Sequence, residues 1–295
     1  MAAASPDSAT SPFVIGSVAI VGAGTMGLGI AQVCVQHGLP TLLFDINADL
    51  LPKAQAAIAA GLGKLVEKGK LTEEARDAAL ARLHLTTELT EVRADLIIEA
   101  VVEKLAVKHQ LFQEVAALNP PTAILASNTS SLPITRLAAP IPHPERVVGL
   151  HFFNPAPLMQ LVEVISGAAT APAVAEAVYQ LAERLGKKPV RAADAPGFIV
   201  NRVARHYYVE GLKLVEERVA PLEVVDELLE SAGFRMGPFR LMDLIGVDTN
   251  YSVTAAMYEA FHFDPKFRPS RVQQQKVDAG YHGRKSGRGF YEYPA

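Results

Sequence analysis

One cysteine, Cys34, occurs in 295 residues. That excludes an internal disulfide framework and a cysteine-based zinc site. Cys34 falls at an apolar position of a helical pattern, so its expected role is that of a small buried core residue. A dominant charge is lacking as well: 28 Lys and Arg stand against 31 Asp and Glu, leaving -3, with an isoelectric point near 6.3. A balance of this kind gives no field to attract nucleic acid or an anionic membrane. No apolar run reaches the roughly eighteen residues needed to span a bilayer. The first twelve residues hold no lysine, no arginine and no hydrophobic stretch. They read as a disordered tail rather than a signal or transit peptide, and point to a cytoplasmic location.

What the chain does have is alternation. Strand and helix patterns follow one another as far as about Ile165. Strands are expected at Val18 to Val21, Thr41 to Phe44, Asp95 to Glu99, Ala123 to Ala126, Val147 to Leu150 and Leu161 to Ile165. Asn47 can cap a long helix that Gly69 ends, Thr72 to Glu74 start another, and Leu105 to Leu118 form a crossover helix. From Ala171 the strand signal largely disappears, leaving helical stretches at Ala171 to Leu185, Phe198 to Glu217, Pro221 to Ser231 and Met242 to Ala260. The chain is long enough to divide, and the break near Asp194 to Gly197 sets domains at 13–194 and 195–295. The expected fold class is α/β: an N-terminal Rossmann-like doubly wound sheet followed by a C-terminal all-α domain.

The first strand runs into Gly22, Ala23, Gly24, Thr25, Met26 and Gly27. A glycine at the first position permits a tight turn, one at the second lets the backbone approach a pyrophosphate, and one at the third brings helix and strand together. The phosphates then sit at the positive end of the helix. Asp45 follows at the roughly twenty-residue offset where an acid binds the adenosine ribose. Gly22, Gly24, Thr25, Met26, Gly27 and Asp45 therefore form a candidate NAD site.

Ligands in open parallel sheets lie beyond the carboxyl ends of the strands. Three polar clusters occupy such places or open the helical part: Ser127 to Ser131, His151 to Pro155 with Glu163 further on, and Pro196 to Arg202. Singly, each has an ordinary reading as a turn, a cap or a core histidine. Together they supply the parts for moving a hydride from a secondary alcohol. Histidine is a base near working pH, a carboxylate behind it fixes its tautomer, and serine and asparagine bind the oxygens. Spacing alone does not bring these groups together.

The segments GAGTMGLGIAQ, IIEAVVEKLAVK, ILASNTSSLPIT, GLHFFNPAPLMQLVEVI, DAPGFIVNR and GRKSGRGFYEY resemble the L-3-hydroxyacyl-CoA dehydrogenases, in particular the short bacterial 3-hydroxybutyryl-CoA type, in order from about Val14 onward. The resemblance implies an NAD domain, a helical domain that also forms a homodimer, and oxidation of a 3-hydroxyacyl-CoA to the 3-ketoacyl-CoA. It assigns catalytic roles to Ser130, His151, Glu163 and Asn201, with Ser130 and Asn201 also binding substrate. It places Glu103, Lys108 and Lys285 on the nicotinamide side of the cofactor, and Asn128 is a further cofactor-binding candidate. Without it, Glu103 and Lys108 read as an ordinary charged helix start and Lys285 as a loop lysine. Lys68 takes the coenzyme A contact, beside Lys64 on one helical face. Where several relatives place a serine on that helix, Gly61 or Gly63 stands here. No metal is implied. Two other readings stay open: a dehydrogenase of an unactivated hydroxy acid or sugar acid on the same fold, and a non-catalytic NAD-binding protein.

Overall fold

Short β-branched and leucine-rich runs that are apolar on both faces belong in a parallel sheet covered by helices, and residues 13–195 form one. The structure, a computed structural model, describes residues 13–293; the tail expected at 1–12 lies outside the described residues. In chain order come β1 (Val18–Val21), α1 (Thr25–Gln36), β2 (Thr41–Phe44), α2 (Leu50–Glu67), α3 (Glu73–Leu80), β3 (Leu83–Thr86) and β4 (Leu96–Glu99). Then follow α4 (Leu105–Leu118), β5 (Ile124–Ser127), α5 (Ile134–Ala138), β6 (Val147–Phe152), β7 (Leu161–Ser166), α6 (Pro172–Arg184) and β8 (Lys188–Ala193). The sheet runs β3-β2-β1-β4-β5-β6-β7-β8. Every pairing is parallel except β6 with β7, which is antiparallel. Chain order reverses at β1, flanked by β2 and β4, which is where such sheets open a crevice for ligand.

Two strands have no counterpart in the sequence reading, and both are sheet edges. β3 and β8 carry exposed polar residues such as His84, Lys188 and Arg191, the kind that blunt an edge and break an apolar run. Asn47 does not cap α2: its Oδ1 accepts from Asp49 N at 3.1 Å, and the helix begins at Leu50. Thr72 does cap α3, accepting from Ala75 N.

The chain divides into two compact units between Ala195 and Pro196. The second holds α7 (Val200–Glu216), α8 (Leu222–Ser231), α9 (Pro238–Ile245), α10 (Val247–Ala260) and α11 (Arg271–Asp278). Tyr208, Leu212, Val225, Phe239, Met242, Val247 and Phe290 build its core. The helix expected from Met242 to Ala260 is in fact two, because Gly246 adopts φ +106° and ends α9. Fully buried Asp226 accepts from the Phe239 and Arg240 N–H groups at the start of α9. Nearly buried Asp243 accepts from Phe290 N and Tyr291 N, tying down the C-terminal segment. Among the described residues, no helix is long and apolar enough to cross a membrane.

Candidate active site

Each glycine of the β1–α1 turn has a separate physical reason to be there. Gly22 has φ +109°, a conformation L side chains rarely adopt, and Gly27 lies where a Cβ would come within 1.7 Å of the Gly22 carbonyl oxygen. At Gly24 a Cβ would meet nothing within 4 Å, so that face is open to an approaching group. No side chain caps α1 and no acid lies in its first turn. Its leading N–H groups, at exposed Thr25 and half-buried Met26, therefore suit a phosphate. Asp45, just past the end of β2, accepts from Ala23 N at 2.7 Å and from Asn47 N at 2.9 Å. The glycine loop itself thus orients the acid expected to meet the ribose. These residues fit the adenosine and pyrophosphate parts of NAD.

At the carboxyl ends of β4 and β5 the side chains form a charged network. Lys108 on α4 is 1% exposed, and its ammonium lies 2.6 Å from Glu99 and 3.0 Å from Glu103. It is thus no solvent-facing lysine of a helix start. Glu103 accepts from Thr129 Oγ1, from Ser130 N at 3.1 Å and from Ser131 Oγ at 3.2 Å. Burial pushes the Glu103 carboxyl up, but the Lys108 charge and the hydrogen bonds from Thr129, Lys108 and Ser130 together hold it below its usual value. Glu103 thus stays ionised and grips the loop that carries half-buried Ser130. Asn128, two residues before Ser130, accepts from Phe152 N at 2.8 Å. That bond ties the loop to the end of β6, next to His151.

His151 and Glu163 are directly opposed across β6 and β7. His151 Nδ1 lies 2.8 Å from Glu163 Oε2, with the side chains 7% and 0% exposed. A carboxylate only accepts, so Nδ1 carries the proton and Nε2 presents its lone pair. The Phe153 ring sits against the imidazole, 4.4 Å between centroids. Such an arrangement suits a general base whose protonated form is stabilised from behind.

Asn201 lies in the first turn of α7, in the second unit. Lys285 is there too, paired with Asp248 at 2.7 Å. Gly246 makes room for that ammonium, since a Cβ at that position would come within 3.1 Å of it. Lys64 and Lys68 are exposed, with Lys64 in the last turn of α2 and Lys68 at its C-cap. A Cβ on Gly61 would strike the Gln32 amide at 2.4 Å, whereas Gly63 faces open space. The sequence reading passed over Glu99. An acid at the last position of an otherwise apolar strand was the signal.

Residues 17–195 match the model of the 3-hydroxyacyl-CoA dehydrogenase NAD binding domain, and 197–293 that of the 3-hydroxyacyl-CoA dehydrogenase C-terminal domain. The chain belongs to the 3-hydroxyacyl-CoA dehydrogenase family. It is an oxidoreductase whose cofactor is NAD. The chain is 50% identical over 281 residues to the 3-hydroxyadipyl-CoA dehydrogenase of Escherichia coli, covering 95% of this chain but 59% of that one. It is 43% identical to a 3-hydroxybutyryl-CoA dehydrogenase of Bradyrhizobium diazoefficiens, covering 95% and 96%. Among solved structures, an (S)-3-hydroxybutyryl-CoA dehydrogenase from Ralstonia eutropha superposes with a TM-score of 0.92 at 40% identity, covering 96% of this chain and all of that one.

Proposed function

We propose that this family member interconverts (S)-3-hydroxyacyl-CoA and 3-ketoacyl-CoA of short chain, the pair 3-hydroxybutyryl-CoA and acetoacetyl-CoA above all. The hydrogen-bonded His151–Glu163 pair, opposed across the sheet, carries the reading. NAD, when bound, supplies the hydride acceptor. His151 Nε2 takes the hydroxyl proton as the carbon–hydrogen bond breaks and the carbonyl forms, and Glu163 stabilises the resulting imidazolium. Ser130 orients the reacting oxygen, and Asn201 holds the thioester carbonyl. In reduction His151 returns the proton; because reduction takes up one proton from solution overall, acid favours the hydroxy product and alkali the keto product. Lys68 anchors a phosphate of the carrier, whose remote binding energy helps position the reacting centre.

Short chains are favoured by the names of the near full-length relatives. The E. coli relative named for a six-carbon dicarboxylate supports a second substrate, 3-hydroxyadipyl-CoA. NADH oxidation across 3-ketoacyl-CoA substrates, from four carbons to long chains and with a terminal carboxylate, tests the proposal. Highest kcat/KM on acetoacetyl-CoA upholds it, highest kcat/KM on 3-ketoadipyl-CoA moves it to the second substrate, and no turnover of any member overturns it.

A homodimer built on the helical unit and a cytoplasmic location belong to the same proposal. Val209, Leu212 and Val225 are buried within the chain itself, so the dimer rests on other residues. Val224 and Leu228, one turn apart on α8, are 48% and 67% exposed, and Leu244 and Ile245 on α9 are exposed as well. The free, buried thiol of Cys34 suits a reducing compartment.

A further inference from the structure

We infer that Glu99 is a positioning residue for the reaction: through Lys108 and Glu103 it fixes the loop that carries Ser130. The inference rests on the role proposed above for Ser130. Glu99 is the last residue of β4, fully buried, and pairs in register with Ser127 at the end of β5. Its carboxylate receives four hydrogen bonds. Two come from Lys108 Nζ, at 2.6 and 2.7 Å, one from Ser127 Oγ at 2.6 Å, and one from Val101 N at 2.7 Å. Held on this side, the ammonium reaches Glu103 Oε2 on the other at 3.0 Å. Glu103 Oε1 then grips Thr129, the Ser130 N–H and Ser131. Three charged side chains therefore run in series from the sheet interior to the backbone of Ser130.

Stability alone is a poor reason for this arrangement, because a buried ion pair often adds little over apolar residues of the same volume. Geometry is a better one. A lysine pinned between two carboxylates has one place for its charge, and Glu103, drawn to that charge, has one rotamer from which to hold three successive residues. A glutamine at position 99 keeps the shape but turns an amide NH2 toward the Lys108 ammonium or the Val101 N–H in either orientation. The lysine must shift, and the Ser130 loop shifts with it.

The test uses the full chain with Glu99→Gln, Lys108→Met and the double variant. It reads kcat and KM for acetoacetyl-CoA at saturating NADH, NADH affinity by fluorescence titration, and thermal unfolding. Asp95→Asn is the control, because Asp95 precedes the opposite end of β4 and its carboxylate accepts from Gly16 N, Ser17 N and Ser17 Oγ. Folded Glu99→Gln is expected to lose about 10- to 100-fold in kcat, the scale of a reacting group displaced by about 1 Å. NADH affinity should fall at least about fivefold, on the same argument for Glu103. The double variant should be no slower than Lys108→Met alone, since effects acting through one partner do not multiply. Asp95→Asn should unfold earlier and turn over normally. If Glu99→Gln does not fold, Ser127→Ala replaces it; this removes one donor to Glu99 and the acceptor of Thr129 N, and a lowered kcat at a somewhat lower melting temperature is expected. A wild-type chain that binds NADH but turns over no 3-ketoacyl-CoA defeats the proposed function, and the NADH titration then tests Glu99 separately. A folded Glu99→Gln or Ser127→Ala variant with wild-type kcat and NADH affinity, or defects that multiply in the double variant, would overturn the inference.

Discussion

His151 and Glu163 meet across the one antiparallel pairing among the described strands, Nδ1 to Oε2 at 2.8 Å. Antiparallel pairing sets the two Cα atoms directly opposite, so both side chains stand on the same face of the sheet. In a parallel neighbour the corresponding pair would be offset along the strand. The reversal of β7 therefore has a chemical consequence: it puts a buried carboxylate behind the imidazole.

Replacing His151 with Ala or Gln should lower kcat by roughly two to four orders of magnitude, the usual share of a positioned acid or base. NADH affinity should change little. Glu163→Gln should slow turnover as well, because a neutral amide neither fixes the ring tautomer as firmly nor stabilises imidazolium. Steady-state kinetics beside fluorescence titration of NADH separate the two effects. A folded His151→Ala enzyme of near wild-type kcat would move the proton-transfer role elsewhere.

The glycines of the β1–α1 turn make opposite predictions. Gly27→Ala drives a Cβ into a backbone carbonyl, an overpacking that costs about 3 kcal/mol or more and lowers Tm by roughly 6–12 °C. Gly24→Ala meets open space and should melt near the wild-type temperature while losing at least about tenfold in NADH affinity, because the methyl group stands where the pyrophosphate must approach. Calorimetry and NADH titration of both variants check the contrast, and equal losses of stability would refute it.

Cofactor choice follows from Asp45. Its carboxylate is fixed by Ala23 N and Asn47 N and can accept from a ribose 2′-hydroxyl but repels a 2′-phosphate. Ile46 beside it is 87% exposed and offers no compensating charge. We expect kcat/KM to favour NADH over NADPH, and Asp45→Ala to narrow the ratio. Equal values in the wild type would sink the assignment.

The exposed apolar residues of α8 and α9 predict a homodimer at micromolar concentration. Light scattering measures it directly. Val224→Glu with Leu228→Glu, both at exposed positions, should give monomer that remains folded, and a monomeric wild type would reject the proposal.

Most of the sheet and the cofactor turn were legible in sequence because their residues answer to local rules. Buried parallel strands need continuous apolar runs, Gly22 and Gly27 each answer a backbone or steric demand set within a few residues, and Gly24 leaves the turn open to an approaching group. The edge strands β3 and β8 were not legible, since solvent on one side admits His84, Lys188 and Arg191 and erases the pattern. His151 was visible as a polar residue after an apolar run and Glu163 as an acid within the next one. Their contact depends on strand reversal, which no local periodicity encodes. Lys108 shows the limit most clearly: at the start of a helix it reads as a surface charge, and only the packing of α4 on the sheet turns it inward to Glu99.

The central claim, hydride chemistry on a coenzyme A thioester with His151 as acid and base, is tested most directly by one comparison. NADH oxidation is followed with acetoacetyl-CoA and with free acetoacetate, for the wild type and His151→Ala. The account predicts rapid turnover of the thioester, little of the free acid, and loss of the thioester activity by at least about a hundredfold in the variant. Equal turnover of the free acid, or an unaffected variant, would contradict it.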